Sequence, residues 1–167
     1  QDLDVVVFPD QLPMEILEGL SIPYPERFRG GLGLEGLNSL KKFVDSGGTL
    51  LCLGASGGLF LDQWRLEGVR EFKSQHSPLN IPGSLLKIQV NSRHPIGYGM
   101  APESAAMFVN SPAYEVGDAI GIASYLDEEI LLSGWAEGQS FLRGRHAVVE
   151  VPIGKGRLVL IGVRTQF

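Results

Sequence analysis

Gly54, Ser56 and Gly58 place a G-x-S-x-G pattern directly after the apolar run Thr49-Leu50-Leu51-Cys52-Leu53. That pattern suits a nucleophile elbow, a sharp strand-to-helix turn that lifts a serine hydroxyl above the edge of a sheet. For acyl transfer Ser56 would attack, a histidine would take its proton, and a carboxylate would orient that histidine. His146, with Asp118 or Asp127, supplies downstream candidates. The rival reading is a structural glycine turn, because glycine tolerates strained backbone and lets elements pack closely. With 22 glycines among 167 residues, a chance match is unsurprising, and both readings stand at this level.

The other chemistry-bearing residues are more scattered. His94 lies in Asn91-Ser92-Arg93-His94-Pro95-Ile96-Gly97-Tyr98-Gly99-Met100, where a residue before proline is pushed out of the helical region; it reads as part of a turn rather than a general base. His76 falls in a polar stretch, Ser74 to Asn80, and is expected to be solvated. No H-x-x-E, H-E-x-x-H or C-x-x-C spacing is present, so no zinc site and no cofactor are expected within this segment. Gly31, Gly33 and Gly36 satisfy G-x-G-x-x-G but do not directly follow a strand, which argues against a dinucleotide site. Trp135, between Gly134 and Ala136, reads as packing at a sheet edge, with a carbohydrate or peptide platform as the alternative. Cys52, the single cysteine, cannot form an internal disulfide and reads as a small buried hydrophobe.

The elements that must position these groups follow from apolar spacing. Leu3 to Phe8 is a Val-rich run of the kind expected of a parallel strand covered on both faces, closed by Pro9-Asp10. Leu34, Leu37, Leu40 and Val44 recur at three- and four-residue spacing, and Gly47-Gly48 supplies a positive-φ stop. Strand, helix and strand make a βαβ-type unit. A helix over Leu59 to Val69 is expected next. Beyond it, Leu85 to Val90, Met107 to Val109, Ala119 to Leu126 and Ile130 to Leu132 read as short mixed or antiparallel strands. Ala147 to Pro152 and Arg157 to Val163, joined through Ile153-Gly154-Lys155-Gly156, form the clearest hairpin. The fold class expected is α/β: one domain over 1–167 with a doubly wound, mostly parallel, flavodoxin-like sheet and a β-rich C-terminal part.

Composition narrows the partners. The chain is 44% hydrophobic and 20% charged with net charge −5, a globular balance without a concentrated basic face, which argues against nucleic acid and anionic membrane surfaces. Its longest apolar runs fall far short of the roughly 20 residues that span a bilayer. No charged n-region, apolar h-region and cleavage site open the sequence, so either a cytosolic protein or a piece of something longer is expected, and a start at Gln1 without Met favours the piece.

Several segments taken in order resemble a known family. Asp4-Val5-Val6-Val7-Phe8-Pro9-Asp10, Gly30 to Gly36, and Leu40 to Leu50 are similar to the class I glutamine-amidotransferase-like fold. Ile81-Pro82-Gly83-Ser84, His94 to Met100, Leu132-Ser133-Gly134-Trp135 and Gly154 to Leu160 resemble the domain that follows the catalytic domain in secreted bacterial zinc carboxypeptidase-like proteins. The resemblance covers nearly the whole chain. It implies a non-catalytic accessory domain, a secreted or periplasmic location, and contact with a catalytic domain of the same parent chain, which would hold the zinc. It also implies a worn elbow, since Ser56 stands where working amidotransferases carry cysteine and no downstream His-x-Glu pair is recognisable. A first βα unit before Gln1 and a helix after Phe167 are implied as well, leaving an exposed sheet edge that could pair two copies. A serine hydrolase at Ser56 and a small-ligand module at the C-terminal ends of the parallel strands are the other expectations.

Overall fold

The computed structural model describes residues 3–72 and 79–165. Strands β1 (Val5–Phe8), β2 (Thr49–Leu53) and β10 (Gly156–Ile161) lie side by side in parallel, with β2 in the middle. Between β1 and β2 the chain forms α1 (Pro13–Glu18) and α2 (Gly33–Asp45), and α3 (Ser56–Trp64) follows β2. Seven further strands are β3 (Val69–Glu71), β4 (Asn80–Val90), β5 (Glu103–Phe108), β6 (Tyr114–Val116), β7 (Ile120–Tyr125), β8 (Leu131–Glu137) and β9 (His146–Ile153). The main path through the sheet runs β1-β2-β10-β9-β7-β4-β5, and every pairing beyond β10 is antiparallel. β8 adds to β4, and the β3–β6 pair hangs from β9.

This corrects the expected doubly wound, mostly parallel, flavodoxin-like sheet. Only β1, β2 and β10 are parallel, and the described residues contain three α-helices, all in the first half of the chain. Such a sheet winds helices over both faces only if each strand is followed by a helical crossover. From β4 onward short turns and 3₁₀ segments link the strands, and the pairings these strands make among themselves are antiparallel. The far strands curl round until Met107 of β5 bridges Arg164, just past β10, through the Arg164 N–H to Met107 carbonyl bond of 2.9 Å.

One sheet therefore separates two apolar cores. On one face the helices pack against Leu50, Cys52, Val149, Val151, Leu158 and Leu160. Phe60 of α3 is fully buried there, with its ring 5.1 Å from Phe8 and 5.0 Å from Trp64. The curl of the other face encloses Leu86, Ile88, Val90, Phe108, Ala123 and Tyr125. Strand alternation explains the division, because successive residues point to opposite faces: Val149 joins the first core while Val148 packs on the second.

Several local expectations hold and others shift. α2 carries the spaced apolar residues and ends at Asp45, capped by Ser46, with Gly47 at φ 124°. The expected hairpin is β9 and β10, in register from Gly156–Ile153 to Ile161–Val148. The helix expected over Leu59 to Val69 starts earlier and ends at Trp64, and Val69 opens β3. β1 is not covered on both faces: Val5 and Val7 are 49% and 53% exposed, and among the described residues β1 pairs with β2 alone.

Candidate functional site

The G-x-S-x-G turn sits at the C-terminal end of β2, where α3 begins. Gly54 makes the bend with φ 56°, a left-handed conformation that glycine adopts without steric cost. A Cβ on Gly54 would lie 2.3 Å from the Asp10 carboxyl group, so the turn also demands a residue without a side chain. The sequence therefore builds the backbone of an elbow at this position.

Its hydroxyl is turned inward. Ser56 is fully buried, and its Oγ donates to the Leu53 carbonyl at 2.8 Å, with the Phe8 carbonyl at 3.4 Å. Asp10, just past β1, reaches the same turn: its Oδ1 accepts the Ala55 N–H at 2.9 Å, and its Oδ2 lies 3.1 Å from Arg164 Nη1. A carboxylate beside the first residues of a helix satisfies backbone N–H groups that lack intrahelical partners and meets the positive end of the helix dipole. Cys52 is inert in this setting. Burial pushes its thiol well up, and the Ser56 hydroxyl offsets this only in part.

The residues nominated as partners do not gather around Ser56. His146 opens β9 with its ring packed on Gly121, where an added Cβ would fall 2.3 Å from the imidazole. Burial holds this imidazole below its ordinary value, with the neighbouring Tyr114 backbone opposing the shift. Its Nδ1 is buried without a partner among the described residues. Asp118 is exposed in the turn before β7, beside Gly68, and Asp127 is exposed between β7 and β8. No hydrogen bond of Ser56 leads to any of them.

His94 occupies the turn expected of it. Its Nδ1 accepts the Ile96 N–H at 3.4 Å at the head of the 3₁₀ turn Pro95–Gly97, and its Nε2 lies 3.8 Å from Glu150 Oε2. The same carboxylate, nearly buried on β9, meets Arg157 Nη1 at 3.3 Å. Trp135 is 53% exposed on β8, a strand that adds to β4 off the main path of the sheet. Ser84 anchors its backbone, with the Trp135 N–H at 2.9 Å and its carbonyl at 2.6 Å from Ser84 Oγ. His76 lies outside the described residues. Among the described residues no group of His, Cys, Asp and Glu is arranged to hold a metal ion, and no helix is long and apolar enough to cross a membrane.

Sequence reasoning passed over Asp10 and Arg164. The available signal was position: each follows a parallel strand at its C-terminal end, where open α/β sheets place functional groups.

Neither a family model nor a curated protein sequence matches the chain. Solved structures do match in fold. The chain is 16% identical to Gan42B, a GH42 β-galactosidase from G. stearothermophilus, with a TM-score of 0.55, over 96% of this chain and 19% of that one. It is 15% identical to the cytoplasmic protein STM1381 from Salmonella typhimurium LT2, with a TM-score of 0.59, over 98% and 61%. It is 11% identical to a ThuA-like protein from Bacteroides uniformis, with a TM-score of 0.51, over 96% and 60%. The chain thus spans about a fifth of the length of that β-galactosidase. The expected amidotransferase-like domain of a zinc carboxypeptidase-like protein is overturned, because the fold aligns with β-galactosidases and a ThuA-like protein and its sheet is curled and mainly antiparallel. At these identities the likeness is one of fold: this chain is similar in architecture to a segment of those larger proteins.

Proposed function

We propose that the chain is a non-catalytic accessory domain whose role is to support a neighbouring part of a larger protein. The observation that carries this reading is the closed elbow. Ser56 is fully buried with its hydroxyl given to Leu53, and the adjoining Ala55 N–H is taken by Asp10. A nucleophile needs a free hydroxyl, a base in hydrogen-bond reach and donors left open for the oxyanion.

Two observations favour the supporting role. Leu3, Val5 and Val7 put apolar side chains on the open face at the unpaired β1 edge, beside half-buried Leu51 and Leu53 of β2. A contiguous apolar stripe on an open edge is the usual mark of a protein contact. The β-galactosidase Gan42B carries a region of this fold within a much longer chain, which fits a domain that works as part of an assembly.

Fluorophosphonate labelling tests the closed elbow. Wild type and Ser56→Ala are expected to label equally, at background. Labelling of the wild type that Ser56→Ala abolishes would overturn the reading and restore the serine hydrolase.

A further inference from the structure

A second feature of the molecule lies beside the elbow and does not depend on the accessory role. A cavity of about 360 Å³ opens within the curl of the sheet, between β4, β5, β7, β9 and β10, and the Pro95–Gly97 turn roofs it. That volume lies in the range of small-molecule sites, which favour the mouths of curled sheets and pair an apolar lining with a few polar groups. Ile88, Ile122, Val148 and Ile161 line it, with Met100 from the roof. Ile122, 2% exposed, lines the cavity from the register shift between Gly121 and Ala123 on β7.

One cation stands on this apolar wall. Arg164 lines the cavity, is 40% exposed, and is held in place by its N–H bond to Met107 and its ion pair with Asp10. That ion pair engages Nη1, whereas a guanidinium offers five N–H donors in a planar fork suited to a carboxylate. The roof is constrained too. A Cβ on Gly97 would lie 2.4 Å from the Asn91 carbonyl oxygen, so the turn is packed directly onto the strand end that bounds the cavity.

We propose that this cavity binds a small apolar monocarboxylate, with its tail among Ile88, Ile122, Val148 and Ile161 and its carboxylate on the outer edge of Arg164. The apolar lining selects against polar metabolites, whose hydroxyls would lose water without finding partners. The lone cation selects for a single negative charge.

Two-dimensional NMR titration of the intact chain with octanoate, and separately with octanol, tests the proposal. Octanoate is expected to shift the amides of β7, β9 and the 94–100 turn, and to bind about tenfold more tightly than octanol, the effect of one charge-assisted hydrogen bond. Arg164→Gln should remove that advantage and leave octanol binding in place, which also reports that the cavity is still folded. Val148→Phe fills the cavity without touching the ion pair and should abolish both. No octanoate binding, equal affinity for the two probes, or octanoate binding that survives Val148→Phe would overturn the assignment.

Discussion

Asp10 and Arg164 form an ion pair at 3.1 Å, although one follows the first strand and the other the last. The parallel arrangement of β1, β2 and β10 brings their C-terminal ends together, and the pair closes that end of the sheet over the Ser56 turn. Asp10 also accepts the Ala55 N–H, so its removal leaves a backbone donor without its partner. Asp10→Ala should destabilise the domain by about 1–3 kcal/mol, the cost of an unsatisfied, partly buried group. Asp10→Asn keeps an acceptor and should lose less. Urea denaturation of the three proteins checks the order.

Gly54→Ala should be costly for two separate reasons. The new residue would have to hold φ at 56°, and its Cβ would press on the Asp10 carboxyl group. Left-handed backbone at a non-glycine residue costs about 1–2 kcal/mol, and the contact adds to it. If the contact matters, part of the loss should be recovered in the Gly54→Ala, Asp10→Ala double variant, which a double-mutant cycle reads directly.

Stability should fall as pH is lowered through two groups in turn. His146 has a folded value below its ordinary 6.5, so protonation favours the unfolded chain. Its contribution is complete above that value and is lost as pH falls toward the folded one. Burial works to raise the Glu115 carboxyl, but hydrogen bonds from Arg70 and Arg145 overcome it and hold the group below 4.5. The stability tied to Glu115 is therefore lost further into acid. Replacing His146 with Gln should flatten the first decline and leave the second, as followed by thermal melts across the acid range.

The isolated domain should self-associate through the β1 edge. Val5 and Val7 are 49% and 53% exposed on a strand with one free side, and charged side chains at such edges block pairing. Val5→Lys with Val7→Lys should give a monomer by sedimentation velocity, with stability within about 0.5 kcal/mol per site of the parent. A wild type that stays monomeric at all concentrations would count against the open edge as a contact surface.

Local elements were legible wherever the physics is local. The spacing of Leu37, Leu40 and Val44, with Gly47 after them, needs only the periodicity of a helix and the freedom of glycine, and α2 follows it. The β9–β10 hairpin likewise rests on two β-branched runs and a short glycine turn. The apolar run Val5–Phe8 was misread because hydrophobicity reports a preference for burial and says nothing of whether a neighbour arrives. The winding of the sheet was misread for a related reason: a parallel start does not dictate how later strands connect.

The chain's own pattern settled that a glycine-bent turn would follow β2 and that Ser56 would stand in it, because the bend is made by the positive φ that Gly54 itself supplies. The surroundings of that serine were set by Asp10, Phe8 and Leu53 around it and by the placement of the His146 ring against Gly121 instead. Asp10 is 45 residues away along the chain from the N–H it caps. Chemistry at the turn depends on which distant groups the sheet assembles, and in this sheet they close the elbow, while Arg164 is set on the wall of the cavity beside it.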